Sequence, residues 1–317
     1  MTNLPPNPAA IGGESPAVRI GAVIPTFNRV DSLRKVLGCL KAQHNNPAAP
    51  DAFPPFNILP VVVVDGSTDG TLDMLAAEFP GASIVHGDGN WWYTRSINEG
   101  IKRSRELGCN YILTLNDDLT FDEDYVRTIV RDQLAAGPDA IVGSVSLSAS
   151  TPRVITFSGV STIDRRLKEF NYLPKFSEVR EESLTGVRPS VVLSGRGILY
   201  PAHLFDRFGL YDERLVQYSS ETDFTYTASC NGIPVLISYN ARVYENVRLT
   251  SAGAVYNNPS LRALFRSFRN RYSINSWWKT RYFAMKHRGP FIGSLIAVRR
   301  MAGILKNFAI VKWKQKK

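Results

Sequence analysis

Short apolar runs alternate with segments of helical periodicity along the first half of the chain. Strands are predicted at 20–24, 61–64, 83–85, 111–115 and 140–145, and helices at 30–40, 72–79, 94–107 and 122–135. The four consecutive valines from Val61 to Val64 are typical of a strand that is covered on both faces. Repeated βα units of this length predict an α/β fold, with a mostly parallel sheet flanked by helices.

Polar side chains follow three of these predicted strands at the point where each strand ends. Pro25, Thr26, Asn28 and Arg29 follow the first strand, Asp65 the second, and the segment 116–118 the fourth. Ligands of open α/β sheets bind beyond the carboxyl ends of the strands. We therefore expect the three polar clusters to converge on one edge of the sheet.

The segment Asn116-Asp117-Asp118 places adjacent carboxylates directly after an apolar strand. Two carboxylates so close raise each other's pKa unless a cation lies beside them. Ligands that are all oxygen select Mg²⁺ or Mn²⁺, and such a cation can stabilise a departing diphosphate. The alternative is that both acids cap the following helix.

Two glycines and three aromatic residues join the third strand to the next helix, in the segment Gly87–Tyr93. Glycine amides at a helix start can approach a phosphate, and Asn90 and Arg95 could contact a diphosphate there. Trp91 and Trp92 could wall a sugar or a base. The alternative for each tryptophan is core packing, although three consecutive aromatic side chains cannot all face inward.

A second acidic cluster, Glu221 and Asp223, lies at a predicted helix start late in the chain. Either carboxylate could accept a proton from an attacking hydroxyl. The alternative is helix capping, since Ser219 or Ser220 followed by an acid is a capping signature.

Charge divides the chain into an acidic body and a basic tail. Residues 1–245 hold all 28 acidic residues and 22 of the 38 Lys and Arg, a net charge of −6, and the remainder carries +16 with no acid. Three scattered cysteines without CxxC spacing favour a reducing compartment. No apolar stretch approaches the ~20 residues that span a bilayer, so the cytoplasm is the predicted location.

The tail itself shows basic amphipathic segments. Apolar residues from Leu261 to Tyr272 share one helical face, and a second apolar and basic stretch runs from Leu295 to Trp313. This pattern favours peripheral attachment to the anionic cytoplasmic face of a membrane. The alternative is packing on the catalytic domain or on another subunit of a homo-oligomer. No recognition motif supports nucleic-acid binding.

Together these stretches resemble the inverting family-2 glycosyltransferases, including members that transfer rhamnose or galactofuranose. The resemblance covers about residues 20–250. It is carried by the stretches 23–29 (VIPTFNR), 63–71 (VVDGSTDGT), 89–92 (GNWW), 98–101 (NEGI), 115–118 (LNDD) and 221–224 (ETDF). It implies a Rossmann-like GT-A fold, a nucleotide-diphospho-sugar donor and Mg²⁺ or Mn²⁺.

The resemblance also implies roles for residues on the donor side. Pro25, Thr26 and Asp65 would hold the nucleoside, and Asp69 would shape its loop. Segment 116–118 is similar to the family's DxD motif, in which Asp118 would bind the metal and Asp117 would meet donor ribose or sugar.

On the acceptor side, the resemblance places Glu221 at the position of the catalytic base and Asp223 at the acid two residues on. Four departures from the family pattern are visible, and one is the turn after Asp65, which is one residue shorter than the common Asp-x-Gly-Ser form. Asn116 replaces the first acid of the DxD motif, and the base is Glu where Asp is usual. No His stands where some relatives bind the metal, and Glu245 is the substitute.

The sequence therefore predicts a metal-dependent inverting glycosyltransferase that acts on a saccharide or lipid-linked saccharide in cell-surface polysaccharide or glycolipid assembly. A disordered leader is predicted at 1–17, a catalytic domain at 18–255 and a basic helical tail at 256–317. Within the domain, 18–145 would bind the nucleotide and 146–255 the acceptor. The rivals are a nucleotidyltransferase, which would carry a Gly-rich basic loop after the first strand, and a sugar-binding module without catalysis.

Overall fold

A computed structural model describes residues 18–43, 55–246 and 260–314 of the chain. The predicted leader at 1–17 and the predicted domain boundary after residue 255 lie outside these ranges.

The central sheet follows the order β3-β2-β1-β4-β11-β6-β12-β10, with β5 beside β12 and β7 beside β6; β8 pairs with β9 separately. The strands are β1 (Val18–Thr26), β2 (Phe56–Asp65), β3 (Ser83–Gly87), β4 (Tyr111–Thr114), β5 (Leu119–Thr120), β6 (Ile141–Ser148), β7 (Ile155–Phe157), β8 (Val160–Ile163), β9 (Glu169–Asn171), β10 (Val187–Pro189), β11 (Ile198–Pro201) and β12 (Val235–Glu245).

The helices cover both faces of the sheet and form the C-terminal region. They are α1 (Val30–Lys41), α2 (Thr71–Glu78), α3 (Trp92–Glu106), α4 (Tyr125–Ala136), α5 (Leu204–Phe208), α6 (Ser220–Cys230), α7 (Leu261–Arg269), α8 (Trp277–Arg288) and α9 (Pro290–Lys314). The predicted alternation of strands and helices is confirmed.

Strands β3, β2, β1 and β4 are parallel, and their side chains alternate between two apolar cores. Val23 and Val61 enter the core shared with α3 and α6, whereas Ile24 and Val62 enter the core shared with α1. Burial on both faces is the arrangement that the run of valines predicted. Because these strands are parallel, their carboxyl ends and the loops that follow lie at one edge.

Strand β2 is longer than the strand predicted at 61–64 and includes a proline. Strand β2 begins at Phe56 and continues through Pro60. At Pro60 the strand pairs with Ala22 of β1, while β3 begins its pairing only at Val61. A residue without an amide proton is tolerated where a strand has one neighbour.

The C-terminal helices α8 and α9 make different contacts. Helix α8 is attached to the predicted catalytic domain, since Tyr282 and Lys286 both donate to Asp212, at 2.6 and 3.1 Å. Helix α9 packs on α8 along one face. No helix within the described ranges is both long enough and apolar enough to cross a membrane.

Candidate active site

Asp117 lies at the centre of the carboxyl edge, between the ends of β1 and β4. It is buried, accepts a hydrogen bond from the Thr26 hydroxyl at 2.9 Å, and pairs with Arg29 at 3.1 Å. The same guanidinium reaches Asp118 at 3.2 Å. The polar clusters that follow β1 and β4 therefore meet. The Arg29 guanidinium bridges the carboxylates of Asp117 and Asp118.

Burial raises the pKa of Asp117 to about 6, and the neighbouring Asp118 charge adds to the rise while Arg29 opposes it. The pair does not begin a helix, because strand β5 follows directly and α4 starts only at Tyr125. The carboxylates are thus held at the edge at an electrostatic cost that a cation relieves.

Asp65 holds the loop between β3 and α3. Its buried carboxylate accepts hydrogen bonds from the amides of Gly89, Trp91 and Trp92, at 2.8, 3.0 and 3.0 Å. Gly89 has a φ of +86°, a conformation that suits glycine. Asp65 therefore shapes the loop that contains the predicted donor-binding residues.

Asn28 and Asp69 tie the loop after β1 to the loop after β2. The Asn28 side-chain oxygen accepts from the Thr68 amide at 2.8 Å, and the Asn28 amide donates to the Ser67 hydroxyl. Asp69 accepts from the Val30 amide at 2.8 Å. These bonds fix the entrance of α1 beside the edge, so both residues act on the shape of the site.

The three consecutive aromatic residues have different surroundings in the structure. Trp92 is 41 % exposed, has a φ of +58°, and stacks on Tyr272 with ring centroids 3.9 Å apart. The Trp91 indole NH and the Tyr93 hydroxyl are buried without a hydrogen-bond partner in the described residues. Arg95 lies over the Trp91 ring, 4.9 Å from its centroid.

The start of α3 is bonded to the turn that precedes Glu221. The Tyr93 amide donates to the Gln217 side chain at 3.2 Å, and the Thr94 hydroxyl lies 2.9 Å from the Ser220 hydroxyl. The acidic cluster of Glu221 and Asp223 is therefore joined to the loop that Asp65 holds.

Glu221 is partly buried in the first turn of α6, and burial raises its pKa while the charge of Arg196 opposes the rise. Neither Ser219 nor Ser220 caps α6: the helix has no side-chain cap, and Ser220 donates to Glu221 itself at 3.3 Å. A partly buried carboxylate with a raised pKa is suited to accept a proton.

The segment Ser194–Gly197 bridges Glu221 and the acidic pair. A Cβ atom on Gly195 would collide with the Tyr93 hydroxyl and would lie 3.6 Å from the carboxyl carbon of Glu221. The next residue, Arg196, pairs with Glu245 at 2.9 Å. The backbone of Glu245 pairs in turn with Leu119, the residue after Asp118. The clusters thus adjoin one another through a single short segment.

Asp223 is buried and its carboxylate is occupied by the C-terminal region. Lys286 donates to it at 2.6 Å, and His287 lies 2.8 Å from its other oxygen. These contacts attach α8 beside the first turn of α6.

The polar side chains at this edge are of the kind that bind a hard divalent cation. Asn116, Asp117, Asp118 and Glu245 offer only oxygen ligands, and one oxygen of Glu245 is buried without a hydrogen-bond partner in the described residues. Within the same ranges, no three His, Cys, Asp or Glu side chains form a cluster that could hold a metal ion. Arg29 holds the acidic pair instead.

Sequence reasoning missed four residues that the structure brings to this region: Phe27, Arg196, Tyr272 and Lys279. Phe27 is 54 % exposed at the end of β1, and an aromatic residue inside a polar loop was a usable signal. Tyr272 and Lys279 come from the tail, and no local pattern connects them with residues 92 and 221.

Comparison with known proteins agrees with this architecture. A crystal structure of GalNAc-T7 with UDP, GalNAc and Mn²⁺ superposes with a TM-score of 0.57 at 14 % sequence identity, over 87 % of this chain and 51 % of that chain. This chain therefore spans about half of that protein, and the likeness shows a GT-A-type fold. No match is found among curated proteins. The model of glycosyl transferase family 2 matches residues 22–183, about half of the chain. The chain belongs to glycosyl transferase family 2.

Proposed function

We propose that this protein transfers a glycosyl group, with inversion, from a nucleotide-diphospho-sugar to a hydroxyl of a saccharide or lipid-linked saccharide. The observation that carries the proposal is the junction at Ser194–Gly197, where Gly195 adjoins Glu221 and Arg196 reaches Glu245 beside the acidic pair. The proposal places a base and an anion-stabilising group beside one bound sugar, as displacement at an anomeric carbon requires.

The donor side of the proposal uses the carboxyl edge. The exposed Phe27 ring offers a flat surface for a nucleobase beside Pro25 and Thr26. Arg29, which now pairs with Asp117 and Asp118, can donate to diphosphate oxygens once another cation neutralises the two acids. Asn90 and Arg95, in and just after the loop that Asp65 holds, are further proposed donor contacts.

Asp118, with Asn116 and Glu245, is proposed to hold Mg²⁺ or Mn²⁺, the kind of ion named with the structural neighbour. When bound, such an ion supplies positive charge to the leaving diphosphate. The acceptor side is assigned to Glu221, whose raised pKa matches the removal of a proton from the attacking hydroxyl as the bond forms. Cell-surface polysaccharide or glycolipid assembly is the proposed setting.

The test replaces Glu221 by Gln and measures glycosyl transfer with a panel of nucleotide-sugars, acceptors and Mn²⁺. Transfer is expected to fall about 10³-fold, because a Gln side chain cannot take the proton. Thermal stabilisation by the nucleotide diphosphate with Mn²⁺ is expected to persist, because donor contacts are unchanged.

The matched control is Glu182→Gln, which makes the same chemical change at an exposed residue that has no role in the proposed reaction. It is expected to keep full activity. Glu221→Gln with activity close to that of the wild type would show that another group is the base.

A further inference from the structure

The outer face of α9 carries an unbroken apolar stripe. Exposed apolar side chains recur every three or four residues at Phe291, Leu295, Val298, Ala302, Leu305, Ala309 and Trp313. The five large ones have exposed fractions of 37 % to 84 %. At 100° per residue these positions fall within one narrow sector of the helix. The stripe runs the whole length of α9, about 37 Å.

The opposite face of α9 is already used. Ile296, Ala297, Met301 and Phe308 are buried, and α9 packs on α8. A Cβ atom on Gly293 would collide with the α8 backbone at Ala284 and Met285, so the two helices approach closely. The stripe is therefore held away from the protein by packing on the other side.

Basic residues border the stripe. Arg299 and Lys306 lie along one side at helical spacing and Lys312 along the other. The chain has no acidic residue after Glu245. A second copy of α9 placed against the stripe would set these cations against like charges with no acid to pair with them. An anionic surface neutralises the same cations.

We propose that α9 lies flat on an anionic phospholipid bilayer, with the stripe inserted among the lipids and the flanking cations at the headgroups. The helix lies on the bilayer because Arg299, Arg300 and Lys306 interrupt its middle, which a membrane-spanning helix would have to bury. The proposal goes beyond glycosyl transfer and assigns to α9 alone the membrane contact that the sequence predicted for the whole tail.

The test is co-sedimentation of the full-length protein with vesicles of phosphatidylcholine alone, or with about 30 % phosphatidylglycerol. Binding is expected only to the anionic vesicles, and it is expected to fall at least about 10-fold when NaCl rises from about 0.1 to about 0.5 M. Leu295→Gln with Val298→Gln should lower the affinity at least about 10-fold, because two inserted side chains become polar.

The matched control is Leu72→Gln with Phe176→Gln, which removes two exposed apolar side chains from the catalytic domain. It is expected to bind vesicles as the wild type does. Ala302→Leu adds apolar area inside the stripe and should raise the affinity about 5-fold or more, which excludes misfolding as the explanation of a loss.

Three results would overturn the proposal. One is a wild-type protein that ignores anionic vesicles. The second is a Leu295→Gln, Val298→Gln variant that binds as well as the wild type. The third is a wild-type dimer in light scattering that this variant converts to a monomer, which would make the stripe a contact between copies. None of these measurements uses a sugar, so they are independent of the proposed glycosyl transfer.

Discussion

Lys279 is a buried lysine that interacts electrostatically with Glu221. It is 8 % exposed, donates to the Ile274 carbonyl at 2.8 Å, and lies 5.2 Å from the centre of the Tyr218 ring. Burial lowers its pKa to about 7, helped by Arg300 and opposed by Glu221. The unfolded chain binds this proton more tightly than the folded one, so folding loses stability as pH falls from about 10 to about 7.

We predict that Lys279→Met stabilises the protein and impairs catalysis. The free energy of unfolding at pH 7 should rise by about 1 to 3 kcal/mol, and the gain should shrink as pH approaches 10. Glycosyl transfer should fall about 3- to 10-fold, because the protonated lysine helps to keep Glu221 ionised. Denaturant titrations across this pH range and initial rates at pH 7 would measure the two effects.

Lys175→Met serves as the control, since Lys175 is exposed and far along the chain from Glu221 and Lys279. It should change neither quantity. A Lys279→Met protein that is less stable at every pH, by the same amount, would show that the lysine is charged and well paired.

At the scale of elements, α8 is attached through carboxylates of the catalytic domain. Lys286 lies between Asp212 and Asp223, and His287 reaches the second oxygen of Asp223. Although burial opposes the change, hydrogen bonds from Arg214, Tyr282 and Lys286 lower the pKa of Asp212. Asp212 is thus held ionised, and the attachment of α8 consists of ion pairs and hydrogen bonds.

Removing one partner of this network should loosen α8 and leave the proposed base, Glu221, in place. Lys286→Met is predicted to cost about 3 kcal/mol of unfolding free energy, because buried Asp223 loses a cation. Asp223→Asn should also destabilise the protein, yet retain far more transfer activity than Glu221→Gln. Hydrogen exchange at 277–288 should accelerate in both variants.

The double variant completes a thermodynamic cycle for this pair. Its destabilisation should be smaller than the sum of the two single effects by at least about 1 kcal/mol, since the residues are in direct contact. Additive effects would mean that Lys286 and Asp223 do not interact in solution. Loss of transfer in Asp223→Asn equal to that in Glu221→Gln would return a catalytic role to Asp223.

Local patterns predicted the βα half of the fold because each element there is specified by its own periodicity. Val61–Val64 and the helix from Val30 need no knowledge of distant residues. The antiparallel position of β11 between β4 and β6, and the stack of Trp92 on Tyr272, depend on contacts across long stretches of chain. Propensity and spacing contain no information on such contacts, so they were not predicted.

For the candidate site, the sequence indicates which residue types could take part but not which neighbours each side chain contacts. Asp65, Asp117 and Glu221 were predicted as site residues because carboxylates after strands or at a helix start stand out in the sequence. That Asp65 binds loop amides, and that Asp223 binds α8, depends on which neighbours the fold supplies. A carboxylate that stabilises a fold and one that reacts have the same sequence signature.

In the whole molecule, the positive charge of the C-terminal region is divided between two places. Part of the positive tail neutralises Asp212 and Asp223 of the acidic body, and part lies along α9. The sequence predicted a single basic tail, with membrane attachment and packing on the domain as alternatives. In the structure α8 packs on the domain, whereas the membrane contact stays a prediction for α9.

Two truncations of the chain test this division of the tail. A protein that ends at Gly289 lacks α9 but keeps Lys279, Lys286 and His287. It should unfold cooperatively at a somewhat lower temperature, because α9 no longer covers α8, and should still transfer sugar to a water-soluble acceptor. A protein that ends at residue 259 also lacks these cations.

In that shorter protein Asp212 and Asp223 lose the partners that α8 supplies. An uncompensated buried charge costs about 3 to 5 kcal/mol, a large fraction of the stability of a domain. We therefore expect loss of cooperative unfolding in circular dichroism and loss of transfer to any acceptor. If the shorter protein instead matched the longer one in both measurements, α7 and α8 would be accessory to the catalytic domain, and the contacts of Lys286 with its two carboxylates would contribute little to its stability.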